Sequence, residues 1–303
     1  MIEILSGGLQ TTIQDLGRSG YMHLGVGPSG AMDALSAITA NRMIGVDDNN
    51  PVLECTLVGP EIKFHQSMTI AISGSNMVFT INEQEQPVNK VITVDTGAIL
   101  KFNSNSAGAR AYIAFDRTMA ITPELNSVAT QINAQLGGYH GRALQTGDTL
   151  IFTKTDVRNH AVKLASLPNF SGRYQIRYTI GPETKEFSHS QKAQFQQQKY
   201  KVTNEFNRMG IRLKGSPVNF DDYPTMTSRG LIPGAIQIPP NGNPIISAQD
   251  AQTTGGYLRI GQVIRSDLPV IGQLKANDEV QFIEISLEDA LAINKKQASI
   301  FTK

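Results

Sequence analysis

The sequence predicts a mainly β protein of the α+β class, and three observations carry that expectation. Charged residues make up 17% of the 303-residue chain, while Gly reaches 27 and Pro 14, a balance that suits short strands and many turns rather than long charged helices. Short β-rich runs recur between turn residues along the whole chain. Helix start signals are few.

In the first half, residues 68–72, 77–81, 91–94, 99–102 and 111–115 read as strands, so closely spaced that a meander is expected. The second half repeats the style at 174–180, 210–213, 235–238, 244–247, 261–264 and 279–285. Ser29-Gly-Ala-Met-Asp33 opens a helix running to about Met43, with Ser29 as its cap and Leu35, Ile38 and Met43 on one face. Ser286-Leu-Glu-Asp289 resembles a capping box with Asp in place of Glu and leads into a helix over 290–299. The Gln-rich stretch 188–200 is the third helix candidate.

An internal echo suggests two halves of similar plan, 1–160 and 161–303. Leu57-Val-Gly-Pro-Glu-Ile-Lys63 resembles Thr179-Ile-Gly-Pro-Glu-Thr-Lys185, and Gly147-Asp148 before an apolar run resembles Asn277-Asp278 before another. Chance recurrence of a Gly-Pro turn is the competing explanation. The polar stretch 156–172 is the natural seam. A second echo joins Gln10-Thr-Thr12 to Gln252-Thr-Thr254, each followed by glycine and tyrosine, which lets a ligand approach the backbone closely.

A balance of 27 basic against 26 acidic residues, net charge +1, gives no field to concentrate on phosphate backbones or anionic lipid. Neither nucleic acid nor membrane is therefore an expected partner. No apolar run approaches a membrane span, and Glu3 stands where a signal peptide carries positive charge; a cytoplasmic protein is expected. The single Cys55 lies in the apolar run 51–58 and reads as a buried small hydrophobe.

Gly25-Val-Gly-Pro-Ser-Gly30 matches a dinucleotide fingerprint formally, but no strong strand precedes it and no βαβ units follow. It could still offer backbone N–H groups to an anion at a helix start. The chain has no phosphate-loop lysine motif, no nucleophile elbow and no zinc helix, and its five histidines are scattered, so a metal centre is not expected. What remains is polar side chains beside glycine: Gln10, Thr11, Thr12, Gln14, Asp15 and Arg18; Ser29 and Asp33; Arg208; and Asp250, Gln252, Thr253, Thr254 and Tyr257. Each could simply cap a turn or satisfy a strand end. Arg18 and Arg208 are suited to bidentate capture of a carboxylate or phosphate, or to an Arg–Asp pair tying the halves together.

At these residues the chain resembles the biotin-dependent carboxyltransferase, or allophanate hydrolase subunit 2-like, family, including the branch formed by the C subunits of bacterial ATP-dependent 5-oxoprolinase. The resemblance rests on Gly8-Leu-Gln-Thr-Thr-Ile-Gln-Asp-Leu-Gly-Arg18, Gly27-Pro-Ser-Gly-Ala-Met-Asp33, Leu53-Glu54 with Gly59-Pro60, and Gly137-Gly138 with Gly141-Arg142. It continues through Arg208-Met-Gly210, Pro233-Gly-Ala-Ile-Gln-Ile-Pro239 and Asp250-Ala-Gln-Thr-Thr-Gly-Gly-Tyr257. It implies two cyclophilin-like β-barrel modules and a sister subunit of the allophanate hydrolase subunit 1-like type.

In the 5-oxoprolinase branch it further implies a lactam-opening third subunit and ATP shared with the partners, the complex converting 5-oxoproline to glutamate and this chain being inactive alone. Other branches imply carboxyl transfer from carboxybiotin to urea, or a regulatory role binding a kinase-inhibitor-like sister protein. On the resemblance, Arg18 and Arg208 are expected to bind a carboxylate or phosphoryl group, and Gln10, Thr11, Gln252, Thr253 and Thr254 to orient the amide. Asp15 or Asp33 would support an arginine, and no residue is marked as a general base. The chain departs from the family pattern at Asp116-Arg117-Thr118, where Gly-Gly is usual, at Phe206-Asn207, where Ser-Asp is usual, and at Ala251, where Arg is common.

Overall fold

The computed structural model describes residues 1–105, 107–154, 157 and 170–299. It is mainly β, with four helices among the described residues, and divides into two compact units. One comprises Met1–Arg18 and Ser29–Phe170, the other Ser19–Pro28 and Ser171–Lys303. Most of the polar seam, including the expected boundary at 160/161, lies outside the described residues.

The first unit packs a six-stranded and a five-stranded sheet around one core. Ile2, Ile4, Ile62, Phe64, Phe79 and Leu100 come from the six-stranded sheet; Ile13, Leu53, Ile70, Ile72, Ile113 and Phe115 face them from the other. Alternate residues of the five-stranded sheet, Val52, Ala71, Tyr112 and Ala114, point the opposite way and are covered by the helix Ala34–Ile44 through Ala37, Ala40 and Ile44. Burial on both faces is why Val52–Thr56 and Arg110–Phe115 are enclosed at every position. Cys55 is among the core residues, as expected from its apolar run.

The strand segments form close to where the sequence places them, but not as a meander. Met68–Gly74 pairs with Val91–Val94 and Arg110–Phe115, whereas Met77–Ile81 pairs with Ile99–Asn105 in the other sheet. Consecutive segments alternate between the two layers because each layer needs an apolar face toward the shared core. The expected cap is also corrected. Ser29 and Gly30 both have positive φ, 52° and 85°, which no helix accepts, and the helix starts at Ala34 with Asp33 as its cap, accepting from the Ser36 amide.

The second unit is a closed seven-stranded barrel in the order Arg173–Ile180, Leu258–Val263, Ala235–Ile238, Ile245–Ser247, Gly210–Lys214, Tyr200–Phe206, Glu279–Glu284. Its one parallel pair joins the first and last of these. The helix His189–Gln197, closed by a Ser188/Gln191 capping box, places Phe195 against Phe282 at 4.7 Å between ring centroids, with Tyr178 and Tyr200 beside them. Leu287–Ser299 is the expected C-terminal helix, with Ser286 Oγ accepting from the Asp289 amide. The short helix Leu268–Gln273, which was not expected from the sequence, follows Asp267 and has Pro269 in its first turn, but the Asp267 side chain makes no capping hydrogen bond and is engaged by Arg177 instead.

Part of the internal echo is a true structural repeat. Ile2 pairs with Leu150 and Glu3 with Thr149; Tyr200 pairs with Val280 and Lys201 with Glu279. In both units the turn before the closing strand exchanges the same bonds. Ile4 and Asp148 correspond to Val202 and Asp278, the Ile4 and Val202 amides donating to those aspartate carbonyls at 2.8 and 2.9 Å. Each aspartate carboxylate accepts from the amide three residues earlier, Gln145 or Lys275, at 2.8 and 3.0 Å. The Gly-Pro half of the echo is not structural: Gly59-Pro60 leads into the strand Glu61–Phe64, Gly181-Pro182 into the 3-10 turn Thr184–Glu186.

Candidate functional site

The sequence-derived polar residues fall into both units. In the first, Gln10–Gln14 is an edge strand whose outer side is covered by the loop around residue 130. Gln10 is half-buried. Thr11 Oγ1 donates to the Gly7 carbonyl at 2.8 Å, and Thr12 Oγ1 accepts from Gln14 Nε2 at 2.9 Å. Asp15 organises two loops: Oδ1 accepts from the Gly17 amide and Ser127 Oγ, both at 2.7 Å, and Oδ2 from the Val128 amide at 2.8 Å. Arg18 is buried and Nη2 donates to the Ala129 carbonyl. Ser29 is buried, and its Oγ has no hydrogen-bond partner among the described residues.

Behind this row lies a buried ionic network. Tyr112 donates its hydroxyl proton to Glu54 Oε2 at 2.8 Å and accepts from the Asp33 amide at 2.8 Å; the Met32 amide also donates to Glu54 Oε2. Arg110 Nε lies 3.5 Å from Glu54 Oε1. Burial, then the Glu54 and Asp33 carboxylates, push the Tyr112 phenol well up, so it stays a proton donor. The network fixes the start of the helix Ala34–Ile44 to the sheet, and Asp33 is part of it as a cap.

In the second unit, Arg208 and Asp250 form a buried bidentate pair, each side chain 5% exposed. Their neighbours line a cleft of about 750 Å³. Asn207, Met209 and Gly210 form one wall; Ala251, Gln252 and Gly255 to Tyr257 form another; Leu231, Gln237, Ile245 and Ser247 belong to the barrel side. Of these, Leu231 lies outside the barrel strands and is tied to the 250–257 wall through Thr253; Gln252 and Tyr257 thus line the cleft, while Arg208 and Asp250 stand behind its lining. The Thr253 carbonyl accepts from the Leu231 amide at 2.8 Å, and Thr254 pairs with Gly230 in a two-stranded ribbon. Asn207 Oδ1 accepts from the Met209 and Gly210 amides at 2.8 and 3.2 Å, leaving its Nδ2 as the group available to a ligand. Asn207 and Ala251, two departures from the family pattern, are both cleft residues.

Gln237, Ser247 and Leu231 were not among the residues expected from the sequence. Only Gln237 carried a signal, a polar residue alternating with Ile236 and Ile238 between Pro233 and Pro239. Among the described residues lining the cleft, Arg212 is the one cation, and its Nε pairs with Glu205 Oε2 at 3.0 Å. Among the described residues no cluster of His, Cys, Asp and Glu could hold a metal ion.

Fold and cleft together define a barrel protein with a concave, largely uncharged polar site of small-molecule size. The chain belongs to the carboxyltransferase domain family, subdomain A and B, which it matches over residues 24–284. It is 31% identical to the C subunit of 5-oxoprolinase from Escherichia coli (strain K12), over 99% of this chain and 96% of that one. It is 33% identical to the urea amidolyase of Saccharomyces cerevisiae, covering 98% of this chain but 17% of that one. The crystal structure of the K. lactis urea amidolyase superimposes with a TM-score of 0.89 at 30% identity, over 98% of this chain and 19% of that one. No helix among the described residues is long and apolar enough to cross a membrane.

Proposed function

We propose that this chain is one component of an ATP-dependent 5-oxoprolinase-type hydrolase, contributing a binding cleft for the cyclic amide. The observation that carries the reading is the correspondence with the Escherichia coli 5-oxoprolinase component, which runs through 99% of this chain and 96% of that relative. The cleft supports it chemically: carboxamides at Asn207, Gln237 and Gln252 and the hydroxyl of Tyr257 suit a neutral amide. A resonance-stabilised lactam needs activation, and ATP supplies it by phosphorylating the amide oxygen.

The cleft itself does not fit a triphosphate, because its one lining cation among the described residues is paired with Glu205 and Arg208 is engaged by Asp250. ATP is accordingly assigned to a partner, and no step through it is placed on this chain. The partners are a sister subunit of the allophanate hydrolase subunit 1-like type and a lactam-opening third subunit. Alone, the chain is inactive. Of the residues singled out in the sequence, Gln252 and Tyr257 would touch the amide, while the Arg208–Asp250 pair would hold the walls.

A second reading, carboxyl transfer to urea or a similar small amide, is favoured by the TM-score of 0.89 with the K. lactis urea amidolyase. Reconstitution separates the two. The chain combined with its two partners is expected to hydrolyse ATP only when 5-oxoproline is present. Gln252→Ala should raise KM for 5-oxoproline, and Arg18→Ala should lower turnover. A complex that ignores 5-oxoproline but carboxylates urea when given carboxybiotin establishes the second reading instead. A complex that assembles and turns over neither substrate identifies a regulatory subunit.

A further inference from the structure

One side chain on the barrel side of the cleft has no role in packing the barrel. Ile236 and Ile238 point into the barrel core, so Gln237 between them points to the outer face. The register against Leu258–Val263 shifts here, Ile236 facing Gly261 and Gln237 facing Arg259, so the extra residue is Ile260 of the neighbouring strand and the alternation along 236–238 is unbroken. Gln237 is only 7% exposed, yet it lines the cleft, and its carboxamide makes no hydrogen bond among the described residues. The small part of this side chain that is accessible opens into the cleft, where a ligand with a matching edge can replace the water that solvates the amide. Gly255 adjoins it: a Cβ there would lie 2.9 Å from Gln237 Oε1, so any side chain at that position would crowd the place where a ligand meets the amide.

We propose that Gln237 is the recognition group of the cleft and that it reads a cis-amide edge, a C=O and an N–H presented side by side. A primary carboxamide carries an acceptor and a syn N–H donor in one plane. It closes two antiparallel hydrogen bonds with a lactam or a urea, whose geometry places both complementary groups on one side. A trans amide, such as a peptide bond, offers only one of the two. The surroundings match an uncharged edge, since Ser247 Oγ is engaged with the Ile232 and Ala235 carbonyls and Arg212 with Glu205. This assignment deepens the small-amide reading and rests on it, but it is tested by binding and not by turnover.

The test is an NMR titration of the full chain with 2-pyrrolidinone, urea, N-methyl-2-pyrrolidinone and N-methylacetamide. The first two are expected to bind at the cleft, and the N-methylated lactam and the trans amide about tenfold more weakly or worse. Gln237→Met, close in volume and unable to form the pair, is expected to weaken 2-pyrrolidinone by a similar factor, and Gly255→Ala to do the same by crowding. Should Gln237→Met fail to fold, the ligand series on the unaltered chain and Gly255→Ala decide the matter. Equal binding of the lactam and its N-methyl form, undiminished binding to Gln237→Met, or no binding of either cis amide overturns the proposal. A chain that discriminates as expected but supports no 5-oxoproline turnover in the reconstituted complex would remove the hydrolase reading and leave this one standing.

Discussion

Arg208 grips Asp250 with two parallel hydrogen bonds, Nε to Oδ2 at 2.8 Å and Nη2 to Oδ1 at 2.9 Å, while the Asp250 amide returns to the Arg208 carbonyl at 2.7 Å. Forty-two residues apart in sequence, the two thereby fasten the segment 207–210 to the segment 250–257, and these are two walls of the cleft. A pair so arranged acts on the shape of the site, since the groups that reach the cleft belong to its neighbours Asn207, Met209 and Ala251.

Removing one member of a buried pair strands the other charge, at a cost of about 3–5 kcal/mol. Arg208→Ala and Asp250→Ala are each expected to lose stability on that scale in urea unfolding. The double variant should cost less than their sum by more than ~1 kcal/mol. Additive losses would show that the two side chains are not coupled.

The thiol of Cys55 offers a second check, on the packing of the first unit. Cys55 is fully buried between the two sheets, and burial, opposed in part by a hydrogen bond with Thr11, pushes its pKa far up. Iodoacetamide at pH 8 is expected to leave it unmodified in the folded chain and to label it fully in denaturant, because the thiolate is the nucleophile. Rapid labelling of the folded protein would contradict the closed core.

How far these features could be read from the chain depends on whether their cause is local. Strand positions such as Met77–Ile81 and Ala235–Ile238 were legible because alternation and turn residues act over a few residues. Sheet membership was not, since 77–81 and 68–74 join different sheets through partners around residues 100 and 112. The cap at Asp33 was hidden by an equally good capping residue at Ser29, and the backbone at 29–30 decides between them. At the site, Gln252 and Tyr257 were legible through glycine-flanked polarity. Gln237 in Ile-Gln-Ile reads as an ordinary outward residue until the distant segment 250–257 covers it. In the sequence Arg208 suits a ligand arginine or half of an Arg–Asp pair equally, and only the fold shows Asp250 in its fork.

Gly137 carries a third prediction, because its conformation and its space are both demanding. Its φ is +68°, and a Cβ there would lie 2.2 Å from the Ala129 carbonyl oxygen and 2.9 Å from Arg18 Nη2, the two atoms of one hydrogen bond. The left-handed backbone alone costs a non-glycine residue about 1–2 kcal/mol, and displacing the Arg18 contact adds to it. Gly137→Ala should therefore lose at least ~2 kcal/mol, whereas Gly147→Ala, also with positive φ but in open space, should lose only the backbone part. Equal losses in the two variants would remove the steric role assigned to the Ala129–Arg18 contact.

The repeated turn of the two units makes an opposed pair of pH effects, since the same aspartate sits in different surroundings. Arg142 forks onto Asp148 at 2.7 and 2.8 Å and, as the largest influence, holds its pKa below the ordinary 3.8. Asp278 has Lys275 Nζ only at 3.9 Å, and burial raises its pKa. A lowered folded-state pKa means that Asp148 contributes stability above about pH 4, lost as the pH falls through the depressed value. The raised pKa of Asp278 has the opposite sign: its contribution is greatest in acid and declines as the pH rises from 3.8 through the folded value. Asp148→Asn should thus destabilise at pH 7, by about 1–3 kcal/mol for the lost charge-assisted bonds, with the deficit shrinking toward pH 3. Asp278→Asn should become less costly, relative to the unaltered chain, as the pH is raised from 3 to 7. Thermal unfolding of the two variants across that range measures both slopes, and slopes of the same sign would refute the assignment.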